Sequence, residues 1–336
     1  MRALFIGGTG NISKAITELA VKSGWEVYLL NRGSKNAEIS GVKTIVCDIN
    51  DEVKVKELIG DLTFDVVANF IAFVPADIAR DIRIFAGKTK QYITLSSASA
   101  YQKPVLNSFI TESTPLANPY WQYSRDKIAI EELLIQEYRE NGFPFTVVRP
   151  SHTYGDTMLP LAVGESNSWA VIKRILDDKP IIIHGDGTSL WTITHNSDFA
   201  KGFLGLMGNS AAIGNTFQIT SDEAISWTKI YDTIGAALGK EITKVYITSD
   251  FLAEVDSAYV GGLLGDKSAS VIFDNSKLKR LVPDYVCTTR FDIGVKQTVE
   301  YFLSHVELQQ EDPEFDAFCD KLIATKQHAL AYFKSL

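Results

Sequence analysis

A glycine-rich segment at residues 7–13, GGTGNIS, directly follows the apolar run ALFI. A buried strand, a glycine turn and a helix that begins at once form a unit in which backbone amides at the helix N-terminus face an anion. Gly7 permits the tight turn, and Gly10 lets the backbone approach a phosphate closely. The segment therefore predicts a βαβ unit with a pyrophosphate site at its first turn. The alternative, an ordinary glycine-rich turn, explains this placement less well.

Short apolar runs alternate with helical patterns through the first half of the chain, which predicts a parallel sheet covered by helices on both faces. After the first strand these runs are EVYLLNR, KTIVCDI, FDVVANFIA, QYITLSS and FTVVRPS, and a long helix is predicted at residues 126–141. The predicted fold class is α/β, a Rossmann-type doubly wound parallel sheet with a smaller C-terminal substrate domain. We expect the dinucleotide-binding domain at 1–155 and the mainly substrate-binding domain at 156–336, with segments near 192–222 returning to the Rossmann sheet.

Composition excludes several classes of function. A net charge of -8 argues against a nucleic-acid partner, and the densest basic run, KLKR at 277–280, is read as a solvated helix face. Three cysteines in no Cys-x-x-Cys pattern indicate free thiols in a reducing compartment. With no leader sequence and no apolar run near the ~18 residues of a membrane span, we expect a cytoplasmic protein without a membrane partner. His152, His184 and His195 show no metal-ligand spacing, so no metal is predicted.

Tyr123 and Lys127 are four residues apart, so they share one helix face and the ammonium can lie beside the phenol. Alone the pair is weak, because Tyr-x-x-x-Lys occurs by chance on many solvated helices. Upstream, YITLSSASAY ends a predicted strand and places serines at the strand end. A phosphate-binding turn, a strand-end serine and a Tyr/Lys helix together predict a redox site.

The end of the second strand bears on the choice of cofactor. An NAD enzyme usually carries an acidic residue here for the ribose hydroxyls, but this chain has Asn31 followed by Arg32. Arg32 could accept a 2′-phosphate, which favours NADP, or it could stack on adenine, which leaves NAD open. Asp48 and Ile49 close the third strand and could contact the adenine, although Asp48 could instead cap the next turn.

Several segments together resemble the extended short-chain dehydrogenase/reductase superfamily, in particular its NAD-dependent epimerase/dehydratase-like branch: GGTGNIS, SSASAY, YSRDK, FTVVRPSHTYG, GDGTSLWTITHNSDFAKGF and NTFQITSDEAIS. The resemblance implies a Rossmann domain, a bound NAD or NADP, and a Ser/Tyr/Lys catalytic set that falls on Ser97, Tyr123 and Lys127. It also implies that Lys127 grips the nicotinamide ribose, and homodimers are common in the family. The expected cofactor-binding residues are Gly7, Gly10, Asn11, Ile12, Asn31, Arg32, Asp48, Ile49, Phe70, Ala72 and Lys127.

The chemistry of such a set explains its residue types. A phenol has an unperturbed pKa of about 10, so acting as a base at neutral pH takes roughly 4 kcal/mol of stabilisation of the phenolate. The charges of Lys127 and of a nicotinamide ring can supply this. Tyr123 would then take the hydroxyl proton as hydride leaves, or return one during reduction. Ser97 would hydrogen-bond the substrate oxygen.

Departures from the family pattern concern the substrate. Dehydratases of this branch carry an Asp-Glu pair where Ala98 and Ser99 stand, so sugar 4,6-dehydration is not expected. Nucleotide-sugar enzymes usually place a diphosphate-binding arginine where Trp191 stands; Trp191 removes that anchor, or it packs while another basic group serves the diphosphate. We expect Ser99, Tyr154 and Trp191 to contact substrate, with a packing role equally open for Tyr154.

These observations predict an NAD(P)-dependent oxidoreductase or epimerase that acts on a hydroxylated, sugar-like small molecule, with or without a nucleotide diphosphate. Arg32 favours exchangeable NADP and hence a reductase, whereas the motif layout favours an epimerase that retains its cofactor. Two alternatives stay open: an NADP-dependent carbonyl reductase, and a redox-inactive family member that binds a partner such as RNA.

Overall fold

The computed structural model describes residues 1–33, 39–164 and 167–336. Its strands are β1 (Arg2–Ile6), β2 (Glu26–Asn31), β3 (Val42–Val46), β4 (Val66–Asn69), β5 (Tyr92–Leu95), β6 (Phe109–Ile110), β7 (Phe145–Pro150), β8 (His152–Tyr154), β9 (Ile181–His184), β10 (Leu190–His195), β11 (Asn215–Ile219), β12 (Ala224–Ser226), β13 (Lys244–Ile247) and β14 (Ile272–Phe273). Its α-helices are α1 (Asn11–Lys22), α2 (Glu52–Ile59), α3 (Pro75–Phe85), α4 (Gln122–Asn141), α5 (Ser168–Leu176), α6 (Asn196–Leu206), α7 (Trp227–Ala237), α8 (Ser249–Val255), α9 (Ser276–Leu281), α10 (Phe291–Ser304) and α11 (Pro313–Ser335).

The main sheet has seven parallel strands in the order β3-β2-β1-β4-β5-β7-β11. The chain winds outward in one direction through β2 and β3 and then in the other direction from β4, so the order reverses between β1 and β4. In such sheets ligands bind in the crevice outside the carboxyl ends of the strands at this reversal. The predicted fold class is confirmed. Strand β11, from the second half of the chain, forms one edge of this sheet, while the domain boundaries themselves stay a prediction.

Both faces of the sheet are buried along its central strands β1, β4 and β5, which explains why these strands read as continuous apolar runs, whereas the edge strand β3 is partly exposed. Along β1, Phe5 points into a cluster that includes Ile16 of α1 and Phe203 of α6. Its neighbour Leu4 points into the opposite cluster, which includes Ile130 of α4. The helices therefore form a layer on each side, and the strand ends between the layers are left for a site.

Helix α4 begins at Gln122, four residues before its predicted start, and ends at Asn141, followed by its C-cap Gly142, whose φ of 71° is left-handed. Tyr123 and Lys127 consequently lie in its first two turns. Its N-cap, Trp121, makes no side-chain capping hydrogen bond. The residue directly before the helix therefore offers no side-chain cap that would mark the early start.

Smaller sheets, β8-β10-β12, β9-β13 and β6-β14, lie in the rest of the protein. A separate apolar cluster that includes Trp191, Trp227 and Tyr154 forms the core there. A π-helical segment, Val260–Lys267, ends at one wall of the cleft described below. In the described ranges, none of the helices combines the length and the apolar character needed to cross a membrane.

Candidate active site

The glycine turn after β1 is held by side chains of the helix that follows it. Gly7 has a φ of +79°, a conformation that favours glycine. The Ser13 hydroxyl donates to the Gly7 carbonyl oxygen at 2.7 Å and accepts from the Gly10 amide at 2.9 Å. A β-carbon on Gly7 would lie 2.5 Å from Cγ2 of Ile71. A larger residue at Gly7 would therefore collide with Ile71 of the loop after β4.

A cavity of about 410 Å³ lies on one side of this turn and contains the residues predicted to hold the adenosine half of a dinucleotide: Asn31, Arg32, Asp48 and Ile49. Asn31 accepts a hydrogen bond from the Gly33 amide at 3.1 Å, and Asp48 accepts one from the Asn50 amide at 2.9 Å. Each side chain therefore closes a turn at its strand end as well as lining the cavity. Arg32 is exposed.

A second cavity, of about 530 Å³, lies on the other side of the turn. The two cavities share Gly7, Gly10, Ile71 and Phe73, so they form one cleft that passes over the turn. Among the residues predicted from the sequence, the second cavity is lined by Asn11, Ile12, Phe70, Ser97, Ser99, Tyr123 and Trp191. We refer to this second cavity as the inner cleft.

Ser97 and Tyr123 reach the inner cleft from different elements. Ser97 follows β5 at the carboxyl edge of the sheet, where its side chain caps a short turn, Ala98–Ala100. Tyr123 lies in the first turn of α4, and its ring packs against Trp121 with centroids 4.9 Å apart. Both side chains are partly exposed, so a bound molecule can reach them.

Lys127 lies behind this pair rather than in the cleft wall. Its side chain is 2% exposed, and its Nζ donates to the carbonyl oxygens of Ala72 at 2.6 Å and Leu95 at 2.8 Å. Nζ also lies 5.5 Å from the centroid of the Tyr123 ring. Burial lowers the pKa of Lys127 to about 8. An ammonium group has three donors, so one remains for the phenol or for a ribose hydroxyl. Ala72, predicted to bind the cofactor, is buried, and its carbonyl oxygen accepts from Lys127.

The loop after β4 is shaped by a buried polar network that sequence reasoning did not find. Asn69 accepts the Ile71 amide at 2.8 Å and donates to Asp81 of α3. Asp81 also accepts from Tyr92 at 2.6 Å and pairs with Arg80 at 2.9 Å. The signal was an asparagine ending an apolar strand, VVAN, where a polar side chain needs a partner.

The substrate end of the inner cleft carries few charges. Trp191 is 1% exposed, and the ammonium of Lys103 lies 5.7 Å from its ring. Of the described residues that line this cleft, none is an arginine, and Lys267 is the one lysine. Its Nζ lies 3.3 Å from Oδ2 of Asp266, which also lines the cleft.

Substrate contact and packing were both open for Tyr154, and its contacts in the structure are packing contacts. Tyr154 is fully buried in the core of the second half, where its ring packs edge-on against His195 and Phe291 at 5.1 and 5.4 Å. It pairs with His195 of β10 and is absent from the described residues that line the inner cleft. Across the described ranges, His, Cys, Asp and Glu side chains form no group that could hold a metal ion.

Fold and cleft together define a dinucleotide-binding protein of the Rossmann type. The chain belongs to the NAD dependent epimerase/dehydratase family, whose model matches residues 3–220. The family assignment made from the sequence motifs is thereby confirmed.

The names of similar proteins describe different activities. The chain is 24% identical over 289 residues to a 2′-dehydrokanamycin reductase of Streptomyces kanamyceticus, which covers 85% of this chain and 80% of the relative. It is 25% identical over 240 residues to the chloroplast stem-loop binding protein of 41 kDa b of Arabidopsis thaliana, covering 67% of this chain and 60% of that protein. Among solved structures, UDP-glucuronic acid 4-epimerase from Bacillus cereus in complex with NAD superposes with a TM-score of 0.73 at 21% identity, covering 92% of this chain and all of that one (100%). At this identity the structural likeness shows the fold alone.

Proposed function

We propose that this protein is an NADP-linked oxidoreductase that interconverts a ketone and a carbinol on a hydroxylated, sugar-like small molecule. The observation that carries the proposal is the continuous cleft, which has Arg32 at one end, the glycine turn in its middle, and Ser97 and Tyr123 at the other end. A bound nicotinamide dinucleotide supplies the hydride donor or acceptor.

The residues of the chain supply the proton chemistry. Tyr123 gives its phenolic proton to the ketone oxygen during reduction, or takes the carbinol proton during oxidation. Lys127 stabilises the phenolate, because its buried ammonium lies 5.5 Å from the ring centroid and has one donor left. Ser97 donates a hydrogen bond to the same substrate oxygen and holds it in line.

The charges of the inner cleft favour a substrate without a nucleotide diphosphate. A diphosphate would meet Lys267, which already lies beside Asp266, and the position of the usual arginine is taken by buried Trp191. The 2′-dehydrokanamycin reductase is similar to this chain over most of both proteins, and its name supports a reductase that acts on a sugar-like substrate. Elimination of water is disfavoured, because Ala98 and Ser99 offer no carboxylic acid.

Arg32→Ala is expected to weaken NADP binding by roughly 10- to 100-fold, the effect of losing a hydrogen bond between charged groups, while NAD binding changes little. Quenching of the protein's tryptophan fluorescence by each dinucleotide measures both dissociation constants. Arg139→Ala, an exposed arginine on α4, is the matched control. Equal loss for NAD and NADP would show that Arg32 stacks on adenine instead of binding the phosphate.

The test of the proposed function has two arms. Nucleotides released from the purified protein by denaturation are identified by mass spectrometry, and NADPH oxidation is followed with 3-keto-glucose, 4-keto-glucose and their UDP conjugates. We expect exchangeable NADP and oxidation with a free keto sugar. Tightly retained NAD would indicate an epimerase, and oxidation with the UDP conjugates alone would contradict the proposed substrate class.

A role in RNA binding is the second candidate, because one relative is named as a stem-loop binding protein. The net charge of -8 opposes it, since most of the affinity of a protein for nucleic acid comes from neutralising phosphates. An RNA stem-loop that shifts in a gel at 150 mM salt, in a protein that oxidises no NADPH, would favour that reading.

A further inference from the structure

Three serine hydroxyls form a chain that leads from the interior to the inner cleft. The Ser124 hydroxyl of α4 donates to Oγ of Ser99 at 2.7 Å, and Oγ of Ser99 lies 2.8 Å from Oγ of Ser97. Ser124 is fully buried and Ser99 is 1% exposed, so within the described structure these two hydroxyls are shielded from bulk water. Ser97 stands at the open end of the chain.

The direction of the hydrogen bonds follows from the number of hydrogens. Ser99 accepts from Ser124, and its own single hydroxyl hydrogen must find an acceptor, because a buried donor without a partner is costly. Among the described residues, the acceptor that remains for this hydrogen is Oγ of Ser97. Ser97 also accepts the Ser99 backbone amide at 3.1 Å. Both lone pairs of the Ser97 oxygen are then occupied, and its hydrogen is left for the cleft.

We infer that Ser99 and Ser124 are positioning residues that orient Ser97 as a hydrogen-bond donor toward a carbonyl or carbinol oxygen. This inference rests on the proposed function, because it assigns Ser97 the task of holding the reacting oxygen. A chain of hydroxyls polarises each successive bond, so the Ser97 hydrogen is a stronger donor than that of an isolated serine. Ser99 therefore acts through Ser97 and not by contact with substrate, although it lines the inner cleft.

The buried side chain of Asn118 holds the backbone on both sides of this hydroxyl chain. Its Nδ2 donates to the Ser99 carbonyl oxygen at 2.8 Å and to the Gly265 carbonyl oxygen at 2.7 Å. Its Oδ1 accepts the amides of Tyr120 and Trp121, both at 3.1 Å, just before α4 begins. One buried side chain thus ties the turn that holds Ser99 to the start of the helix that carries Tyr123 and Ser124. The sequence signal is the Asn-Pro pair before the helix.

Kinetics and crystallography test the inference together. We measure kcat with whichever of the keto sugars named above is reduced fastest. Ser99→Ala should lower this kcat by about 10-fold and Ser124→Ala by roughly 3-fold, as expected for losing one hydrogen bond. KM and the NADPH dissociation constant should stay within twofold. Ser99→Thr, which keeps the hydroxyl, should restore most of the rate. Ser96→Ala is the matched control, because the Ser96 hydroxyl is buried next to Ser97 and has no hydrogen-bond partner among the described residues.

Crystal structures of the wild type and of Ser99→Ala need no substrate. We expect one Ser97 rotamer in the wild type and at least two in the variant. A single unchanged Ser97 rotamer in Ser99→Ala, or a kcat within twofold of wild type, overturns the inference. Failure of the proposed function looks different: Tyr123→Phe then keeps full activity, or no keto sugar is reduced, while the Ser97 rotamers still report on the hydroxyl chain.

Discussion

Tyr123→Phe is expected to lower kcat by about 10²- to 10⁴-fold, the usual contribution of a positioned general acid or base. The phenolic oxygen is the one atom removed, and the ring can keep its packing against Trp121. NADPH binding should therefore change little. Stopped-flow measurement of NADPH oxidation in a single turnover separates the chemical step from binding and release.

Tyr120→Phe is the matched control for this variant. Tyr120 lies three residues earlier, is 37% exposed, and is absent from the lining of the inner cleft among the described residues. We expect wild-type activity from it. Full activity of Tyr123→Phe would remove Tyr123 from the proton transfer and leave the proposed function without its acid.

The fold was predictable because its signals are local. The central strands β1, β4 and β5 are apolar runs bounded by polar or glycine residues, and burial on both faces makes such runs continuous. The glycine turn after β1 predicts a pyrophosphate site, because its positive φ at Gly7 favours glycine. The start of α4 was misplaced because Trp121 provides no side-chain cap, whereas Asp126 resembles one.

The residue types of the candidate site could be chosen from the sequence, but their contacts could not. Tyr123 and Lys127 share a helix face, as their spacing requires. The partners of Lys127 are carbonyl groups of Ala72 and Leu95, which are 55 and 32 residues away in sequence. Which way Tyr154 points depends on the pairing of β8 with β10, and a one-residue change in such a pattern reverses the face. Contacts between residues far apart in sequence produce no local sequence pattern, so they could not be predicted here.

Lys127→Met should lower kcat/KM by about 10²-fold, because an opposite charge close to a phenol shifts its pKa by one to three units. Methionine keeps the length and apolar stem of the side chain and removes the ammonium. Nucleotide affinity should fall as well, since the donor expected to reach the ribose is lost. Lys277→Met, which removes a half-buried lysine far along the chain, is the control. Unchanged turnover of Lys127→Met would contradict the assignment.

The pH dependence provides the sharper form of this prediction. Because burial lowers the pKa of Lys127 to about 8, its positive charge is lost as the pH rises through that value. The wild-type kcat/KM should therefore fall above about pH 8, and Lys127→Met should lack this limb.

The stability of the folded protein should change in the opposite direction over the same pH range. The unfolded chain holds this proton up to the ordinary lysine pKa of about 10.4, so it binds more protons than the folded protein between the two values. The free energy of unfolding of the wild type should therefore rise with pH. Relative to that of Lys127→Met, it should rise by about 2 kcal/mol between pH 7 and 9.5. Urea titrations of both proteins at these pH values measure the difference. If the two stabilities change in parallel, Lys127 keeps an ordinary pKa and the falling limb of activity belongs to another group.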